Sequence, residues 1–297
     1  MTKYAIFLGC TIPARQPNYE LSARKALAKL DIELVDLPNM TCCCPPPVQS
    51  IDVETSLAVA AYNLCLAEEA GLNIVTLCSG CFESLAMTNE TLKTEEELKG
   101  KINSILSEVG KEFQGSIEVK HFLQVLTEDV GLERLKKHVT KPLTDLKVAP
   151  FYGCHALRPS EYLKLDDPEQ PRILERLIEV LGATSTEYRD KLKCCGGLLR
   201  GVSDDLALNL AREKLANAAK AGADCITTLC PFCFIALDLG QLQIKSKLDE
   251  TFDLPVLHYS ELLGLALGID PKEMALETHK IKTDKIVHKA LLTRAAK

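Results

Sequence analysis

The sequence predicts an α/β fold made of two pseudo-symmetric repeats, each with parallel strands and flanking helices. Two observations lead to this prediction. Apolar runs suited to buried strands alternate with longer stretches that have helical spacing, and the same order of segments and cysteines occurs twice along the 297 residues. We expect the functional groups to lie in loops at strand ends, because sites in open α/β sheets form at that edge.

Short matching segments make the duplication visible. The apolar run that ends at Cys10 has its counterpart in the run that ends at Cys154. Residues 76–82 likewise match residues 228–234, and each of these two segments contains a Cys-x-x-Cys motif. An adjacent pair of cysteines lies between the two matching segments in each repeat.

These matches divide the chain into three parts. Residues 1–146 form the first cysteine-rich half, residues 147–270 form the second, and a linker near residues 141–142 joins them. Residues 271–297 form a C-terminal extension with seven lysines and arginines and three acidic residues. We expect this extension to be solvated, and the alternative is a docking arm that binds an acidic partner.

Each half contains alternating element types. Helix formers at helical spacing predict helices that glycines close, apolar runs predict buried strands, and prolines argue against helix in the turn that carries the first cysteine pair. In the first half the predicted elements are a helix at 18–30, a strand at 32–35, a proline-rich turn at 42–47, a helix at 52–70 and a strand at 72–77. In the second half they are helices at 171–181 and 204–221 and a strand at 225–229.

Composition excludes several classes of function. The formal net charge of −6 disfavours a nucleic-acid partner, because phosphate binding needs a concentrated basic surface. The longest nearly uninterrupted apolar run, residues 262–269, is much shorter than the roughly 20 residues that a membrane-spanning helix needs. The apolar run at the N-terminus is too short for a secretory signal, so we expect a cytoplasmic protein without a membrane span.

Thirteen cysteines are the feature that requires an explanation. Such a density without a secretory signal indicates metal or redox chemistry rather than structural disulfides. Each half presents a single cysteine, an adjacent pair and a Cys-x-x-Cys motif in the same order, whereas most other residues do not repeat. Two residues between cysteines let both thiolates face one metal centre, so the doubled motif predicts two metal sites.

Zinc and iron–sulfur clusters are the competing occupants of these sites. Four thiolates complete a tetrahedron around zinc, which would leave the fifth cysteine of each half unused. A cluster of several irons offers more coordination points, and thiolates are its usual ligands. The common ferredoxin run of cysteines is absent, so an unusual cluster is implied.

The doubled motif resembles the pair of CCG domains in the B subunits of heterodisulfide reductases. The similarity extends to about residue 270. The supporting segments are Phe-Leu-Gly-Cys at 7–10, Cys-Cys-Pro at 43–45, Asn-Leu-Cys-Leu-Ala-Glu-Glu at 63–69, Gly-Cys-His at 153–155 and Cys-Cys-Gly-Gly at 194–197.

The resemblance implies a noncubane [4Fe-4S] cluster in each half. The implied ligands are Cys10, Cys43, Cys44, Cys78 and Cys81 for the first cluster, and Cys154, Cys194, Cys195, Cys230 and Cys233 for the second. This assignment leaves Cys42 spare, because Pro45 follows Cys43-Cys44 as in the family's Cys-Cys-Pro. We expect Cys65 and Cys225 to be core residues.

The resemblance also implies an activity and partners. The protein would be the catalytic subunit that reduces the coenzyme M–coenzyme B disulfide of methanogenesis, with one electron from each cluster. Electrons would come from a ferredoxin-like iron–sulfur subunit and a flavin-containing subunit, because this chain has no glycine-rich nucleotide motif. The alternatives are a subunit of a sulfur-oxidising, sulfate-reducing or lactate-oxidising complex, or a structural zinc protein.

Proton transfer and substrate binding give further candidate residues. His155 follows Cys154 directly and is the preferred proton donor, and His121 and His258 are alternatives that have an equally good structural explanation at strand ends. The implied disulfide substrate is anionic, so cations near the clusters are expected. Arg15, Arg158 and Arg200, each four or five residues after a motif cysteine, are the candidates, although simple solvation explains each of them equally well.

Overall fold

The computed structural model describes residues 2–292, which form two four-stranded sheets flanked by helices. All strand pairs are parallel, and the two sheets have the same order, β2-β1-β3-β4 and β6-β5-β7-β8. The strands are β1 (Thr2–Phe7), β2 (Ile32–Val35), β3 (Asn73–Thr76), β4 (Val119–His121), β5 (Lys147–Phe151), β6 (Thr184–Ser185), β7 (Cys225–Thr228) and β8 (Val256–His258).

Helices fill the connections between strands, as parallel pairing requires. Those of the first half are α1 (Thr11–Arg15), α2 (Pro17–Lys29), α3 (Pro46–Gln49), α4 (Val53–Glu69), α5 (Ser79–Thr94), α6 (Glu96–Ser107), α7 (Phe122–Gln124), which continues as a π-helix (Val125–Val130), and α8 (Leu132–His138). Those that follow are α9 (Ser160–Leu163), α10 (Ile173–Val180), α11 (Asp204–Lys220), α12 (Pro231–Leu248), α13 (Tyr259–Ala266) and α14 (Asp284–Leu292). Within the described residues, no helix is both long and apolar enough to cross a bilayer.

The predicted α/β fold with two repeats is confirmed. The predicted strand at 32–35 coincides with β2, and the predicted helices at 52–70 and 204–221 agree with α4 and α11 to within one residue at each end. One local prediction is wrong. The proline-rich turn contains the short helix α3, which begins at Pro46, because proline is compatible with the first turn of a helix.

The two halves interlock through α2. This helix belongs to the first half, yet it packs along α13 of the second half. The Asn18 side chain donates to Glu261 at 2.9 Å, and the hydroxyls of Ser22 and Ser260 are 2.7 Å apart. The residues between the sheets are therefore part of a common core and not of a loose domain contact.

The C-terminal extension differs from the expectation of a solvated segment. His279, Ile286 and Ala290 are buried, and Asp238 accepts hydrogen bonds from the backbone of Lys280 and Ile281 at 2.8 and 3.0 Å. Residues 271–291 are thus packed on the second half, since their apolar and hydrogen-bonding groups find partners there. The remaining basic residues at 294 and 297 lie outside the described residues.

A buried ion pair fixes this extension. The Nε2 atom of His279 lies 2.7 Å from Oε1 of Glu261, and both side chains are fully buried. Burial by itself would raise the pKa of Glu261 and lower that of His279, but their mutual attraction reverses both effects. The pKa of Glu261 is lowered and that of His279 is raised.

We predict that replacing His279 with Asn lowers the free energy of unfolding by about 3–5 kcal/mol, because Glu261 would remain buried without its cationic partner. The pair contributes fully between about pH 4.3 and 6.5, the ordinary pKa values of Glu and His. Its contribution is lost as pH rises through the raised pKa of folded His279 or falls through the lowered pKa of folded Glu261.

Denaturant unfolding measured across this pH range tests the prediction. The matched control is His288→Asn, which changes an exposed histidine of α14 and should alter stability by no more than about 0.5 kcal/mol. Equal losses in the two variants contradict the assigned role of the pair.

Candidate metal centre

The motif cysteines emerge at the carboxyl ends of central strands. Cys10 and Cys78 follow β1 and β3 and stand at the N-caps of α1 and α5. In the second half Cys154 begins a 3-10 turn after β5, and Cys230 is the N-cap of α12 after β7. Because the strands of each sheet are parallel and adjacent, these residues meet at one edge of each sheet.

The two edges face each other across a cavity of about 110 Å³. This volume exceeds several-fold the ~10–15 Å³ that one water molecule needs by the same measure, so the site is larger than a single-ion pocket. Both halves contribute five cysteines to its wall. They are Cys10, Cys42, Cys43, Cys78 and Cys81 from the first half, and Cys154, Cys194, Cys195, Cys230 and Cys233 from the second.

The structure differs from the ligand assignment made from the sequence at the triple cysteine. Cys42 lines the cavity and Cys44 does not. The backbone N–H of Cys44 donates to the sulfur of Cys42 at 3.4 Å, as the N–H of Gly196 donates to Cys194 at 3.3 Å. Cys44 and Gly196 also share a left-handed backbone, with φ of 51° and 78°.

Cys44 therefore occupies the glycine position of the second half's Cys-Cys-Gly. Its carbonyl accepts a hydrogen bond from the Ser84 hydroxyl at 2.9 Å, which holds the turn on α5. The equivalent pairs are Cys42 with Cys194 and Cys43 with Cys195. Sequence reasoning missed this because Pro45 suggested a different alignment, and the left-handed conformation is visible only in the backbone.

The sulfur atoms of the cavity are close enough to share protons. Those of Cys195 and Cys233 are 3.3 Å apart, and interaction with Cys230 of the other half raises the pKa of Cys78. Hydrogen bonds from Cys154 and then Cys195 lower the pKa of Cys194, while donation to Cys194 raises the pKa of Cys154.

Thiols this close cannot all ionise, because each thiolate disfavours the next. Positive metal ions among them would remove that repulsion, and the donor set consists of the soft thiolates that iron–sulfur clusters use. The ten sulfurs therefore fit a thiolate-bound metal cluster in each half. Across residues 2–292, no three Cys, His, Asp or Glu side chains are grouped as ligands of a single metal ion.

Two glycines allow the strand ends to approach the Cys-x-x-Cys turns. Gly9 has a φ of 65°, and a Cβ atom there would lie 2.8 Å from the sulfur of Cys81. Gly153 is its counterpart, with a φ of 76°, and a Cβ atom at that position would lie 3.3 Å from the sulfur of Cys233. The Gly-Cys sequence is thus required by backbone conformation and by contact with a motif sulfur.

The Tyr19 side chain contacts the backbone that precedes both Cys-x-x-Cys turns. Its buried hydroxyl donates to the carbonyl of Leu77 and lies 3.5 Å from the carbonyl of Leu229. These carbonyls immediately precede Cys78 and Cys230. Burial and the nearby thiols raise the pKa of Tyr19 well above its ordinary value, so the hydroxyl remains a donor.

His155 lies at the cavity, as the sequence suggested, and has a partner that the sequence did not reveal. Its Nδ1 atom bonds to the carboxylate of Glu83, which comes from α5 of the other half. The hydrogen bond to Glu83 raises the pKa of His155 despite partial burial. The signal for Glu83 in the sequence was only its place two residues after Cys81.

The other two histidines have structural environments. His121 and His258 are fully buried at the ends of β4 and β8, and their backbone N–H groups donate to Gln124 and Glu261 at 2.9 and 2.7 Å. Burial lowers the pKa of His121 to about 4 and that of His258 to about 3. Neither residue lines the cavity.

The three candidate arginines do not line the cavity either. Arg15 and Arg158 are exposed, and Arg158 donates to the carbonyl of Pro168 at 3.2 Å. Arg200 donates to Gln243 at 2.6 Å. Among the described residues, the cavity wall contains no lysine or arginine.

The remaining cysteines lie in the core, as predicted. Cys65 is buried in α4 and Cys225 in β7, and neither lines the cavity. Burial raises the pKa of Cys65 to about 12 and raises that of Cys225 as well, so both thiols stay protonated.

Comparisons with known proteins agree with the doubled architecture. The family model of a cysteine-rich domain, CCG, matches residues 4–86 and again residues 148–238. The B subunit of the ferredoxin/F420H2-dependent CoB-CoM heterodisulfide reductase of Methanosarcina acetivorans is 43% identical over 95% of this chain and 95% of its own length. The 8-methylmenaquinol:fumarate reductase membrane anchor subunit of Wolinella succinogenes is 34% identical over 96% of this chain and 99% of its own length.

A solved structure shares the fold. The crystal structure of a hypothetical protein from Helicobacter pylori matches with a TM-score of 0.76 at 16% identity. The match covers 95% of this chain and 52% of that one. At this identity the likeness concerns the fold alone.

We predict that Gly9→Ala destabilises the protein more than Gly71→Ala does. Both glycines have a left-handed backbone, which costs an alanine about 1–3 kcal/mol. A Cβ at Gly71 would meet nothing within 4 Å, whereas one at Gly9 would displace the sulfur of Cys81. Denaturant unfolding of the two variants measures the difference, and equal losses contradict the close approach.

Proposed function

The chain belongs to the family of heterodisulfide reductase B subunits, with two copies of the cysteine-rich CCG domain, and we propose that it reduces a disulfide at two noncubane [4Fe-4S] clusters. The observation that carries this proposal is the single cavity between the halves, whose wall contains two equivalent sets of five cysteines. The membership supports a redox iron–sulfur subunit. The cluster type and the reaction are the parts that we propose.

We assign ligands by the equivalence of the two halves. The first cluster would be held by Cys42 and Cys43 of the triple cysteine, because these match Cys194 and Cys195 in position and in the hydrogen bond that the following turn donates. The other ligands are those implied by the sequence, Cys10, Cys78, Cys81, Cys154, Cys230 and Cys233.

Two one-electron centres suit a two-electron reaction. When bound, the two clusters supply one electron each, and together these electrons break one S–S bond. Two protons complete the two thiol products. The apolar side chains of Leu8, Leu198 and Phe232 in the cavity wall limit water around the reacting sulfurs.

His155 is the residue we assign to proton transfer. It is the only histidine of the described cavity wall, and Glu83 orients its ring by holding Nδ1. We assign the proton transfer to the other ring nitrogen, Nε2. This arrangement resembles the way carboxylates orient histidines in other general acids.

The electrons would come from partner subunits in the cytoplasm. We propose a ferredoxin-like iron–sulfur subunit and a flavin-containing subunit, since the chain has no glycine-rich nucleotide motif of its own. The relative from Methanosarcina acetivorans is named a subunit of a ferredoxin- and F420H2-dependent enzyme, which supports a multi-subunit complex.

A second candidate has an observation in its favour. The cavity wall lacks lysine and arginine in the described structure, so an anionic disulfide such as that of coenzyme M and coenzyme B has no lysine or arginine contact there. The relative from Wolinella succinogenes is named a subunit of a fumarate reductase. A related redox complex with a different electron acceptor is therefore the alternative proposal.

Anaerobic metal analysis followed by electron paramagnetic resonance tests the proposal. Two clusters correspond to about eight irons per chain. Added coenzyme M or coenzyme B thiol should perturb both cluster signals of the holoprotein if the disulfide is reduced between them. Zinc in place of iron excludes the clusters. Two cluster signals that neither added thiol changes favour the alternative acceptor.

We predict that Cys42→Ser lowers the iron content by about half, because it removes a ligand of the first cluster only. Cys44→Ser is the matched control and should keep its iron, since Cys44 stands at the glycine position outside the cavity. Iron per chain decides the question. Loss of iron in the Cys44 variant with retention in the Cys42 variant restores the assignment made from the sequence.

We predict that His155→Gln lowers kcat about 10²-fold or more at unchanged iron content, because proton transfer to the product thiolates loses its donor. His138→Gln is the control, since His138 lies outside the cavity wall and contacts the backbone of Arg134. Steady-state kinetics with the complex measures the effect. A kcat equal to that of the wild type shows that another group supplies the proton.

A further inference from the structure

The two halves differ at one buried position beside the cysteine pair. Helices α4 and α11 each have 17 residues, and their eleventh residues are Asn63 and Lys214. Both side chains support the loop that leads into the cysteine pair. Asn63 donates to the carbonyl of Cys42 at 3.1 Å, and Lys214 donates to the carbonyls of Asp190 and Lys191 at 2.8 and 3.2 Å.

Lys214 is a desolvated cation. It is 2% exposed, and its Nζ atom lies 4.1 Å from the ring centroid of Phe151 and 5.8 Å from that of Tyr188. Both of its hydrogen bonds go to backbone carbonyls, which carry no net charge. Because the ammonium group is buried, solvent and salt screen its charge little.

The charge lies beside the second set of cysteines, because its two acceptor carbonyls are four and three residues before Cys194, and Phe151 is three residues before Cys154. Burial lowers the pKa of Lys214 to about 8, and the sulfurs of Cys233, Cys195 and Cys194, together with Asp190, oppose this by favouring the ammonium form. Donation to two carbonyls and the position over the Phe151 ring suit an ammonium group. Asn63 supplies no net charge at the equivalent position of the first half.

We propose that Lys214 makes the two clusters electronically unequal, so that the cluster of the second half has the higher reduction potential. This inference rests on the proposed function. Reduction adds one negative charge to a cluster, and a nearby buried cation stabilises the reduced form more than the oxidised form. The first electron from the partner subunit then resides on the second cluster.

The His155–Glu83 pair does not produce the same asymmetry. It also lies beside the second set of cysteines, but the Glu83 carboxylate lies directly against the His155 imidazole, so the pair supplies no isolated cation. Lys214 is thus the residue whose removal should equalise the two sites. Lys214 influences which cluster holds the electron through its electrostatic field. It is therefore a positioning residue and not a catalytic one.

A potentiometric titration of the holoprotein, followed by electron paramagnetic resonance, tests the proposal in two steps. In the wild type the equilibrium constants for one-electron reduction of the two clusters should differ at least tenfold. This corresponds to a difference in reduction potential of about 59 mV. The Cys42→Ser variant, which keeps the second cluster, should retain the higher of the two potentials. Equal potentials, or retention of the lower one, overturn the proposal without any change at Lys214.

The second step changes the charge. Lys214→Gln keeps a donor for the loop carbonyls. It should lower the equilibrium constant for one-electron reduction of the second cluster at least tenfold, which corresponds to about 59 mV in potential. Lys214→Arg, which keeps the charge, should retain the wild-type potential. Lys193→Gln is the matched control, because Lys193 is adjacent to Cys194 but its side chain is 54% exposed, and its loss should have little effect.

The outcomes separate the two proposals. A wild-type protein without two iron–sulfur signals overturns the proposed function itself. The role of Lys214 alone is overturned if the wild type shows both signals and the Lys214→Gln variant, with its full iron content, keeps the wild-type potential of the second cluster. If the Lys214→Gln variant loses its second cluster, the comparison of the wild type with Cys42→Ser decides whether the second cluster has the higher potential.

Discussion

The hydroxyl of Tyr19 lies between the carbonyls of Leu77 and Leu229, and the rest of the site depends on that contact. Each carbonyl precedes the first cysteine of a Cys-x-x-Cys turn, so one side chain sets the distance between the two halves of the centre. Ser79 adds a second donor to the Leu229 carbonyl at 3.2 Å. A fully buried hydroxyl has no water to bond, so its acceptors fix its place.

This constraint explains why α2 crosses from the first half to the second. Tyr19 stacks on His258 with ring centroids 3.5 Å apart, and neighbouring residues of α2 bond to Glu261 and Ser260. The C-terminal extension completes the same network through His279. Folding of the extension and geometry of the cysteine cavity are thus coupled through buried polar contacts.

The two cysteine sets are equivalent in order and position, but their surroundings differ. Cys44 stands where the second half has glycine, and Asn63 stands where the second half has a buried lysine. In both halves the backbone N–H of the turn donates to a cavity sulfur, and the side chain of Asn63 or Lys214 donates to a loop carbonyl. Of the two differences, only that between Asn63 and Lys214 places a cationic side chain beside one cysteine set, and it leaves the ten cavity cysteines unchanged.

The sequence by itself determined the duplication, the α/β class and most of the cavity cysteines, because the spacing of cysteines and the alternation of apolar segments depend only on order along the chain. It also determined that Cys65 and Cys225 are core residues. Only the tertiary structure decided what depends on contacts across the two halves. The left-handed backbone at Cys44 places Cys42 in the cavity wall, and packing pairs Glu83 with His155. Burial of residues such as His279 and Ile286 makes the described part of the basic extension part of the core. The candidate arginines had a plausible spacing from the motif cysteines, but they do not line the cavity, since distance along a loop does not fix direction in space.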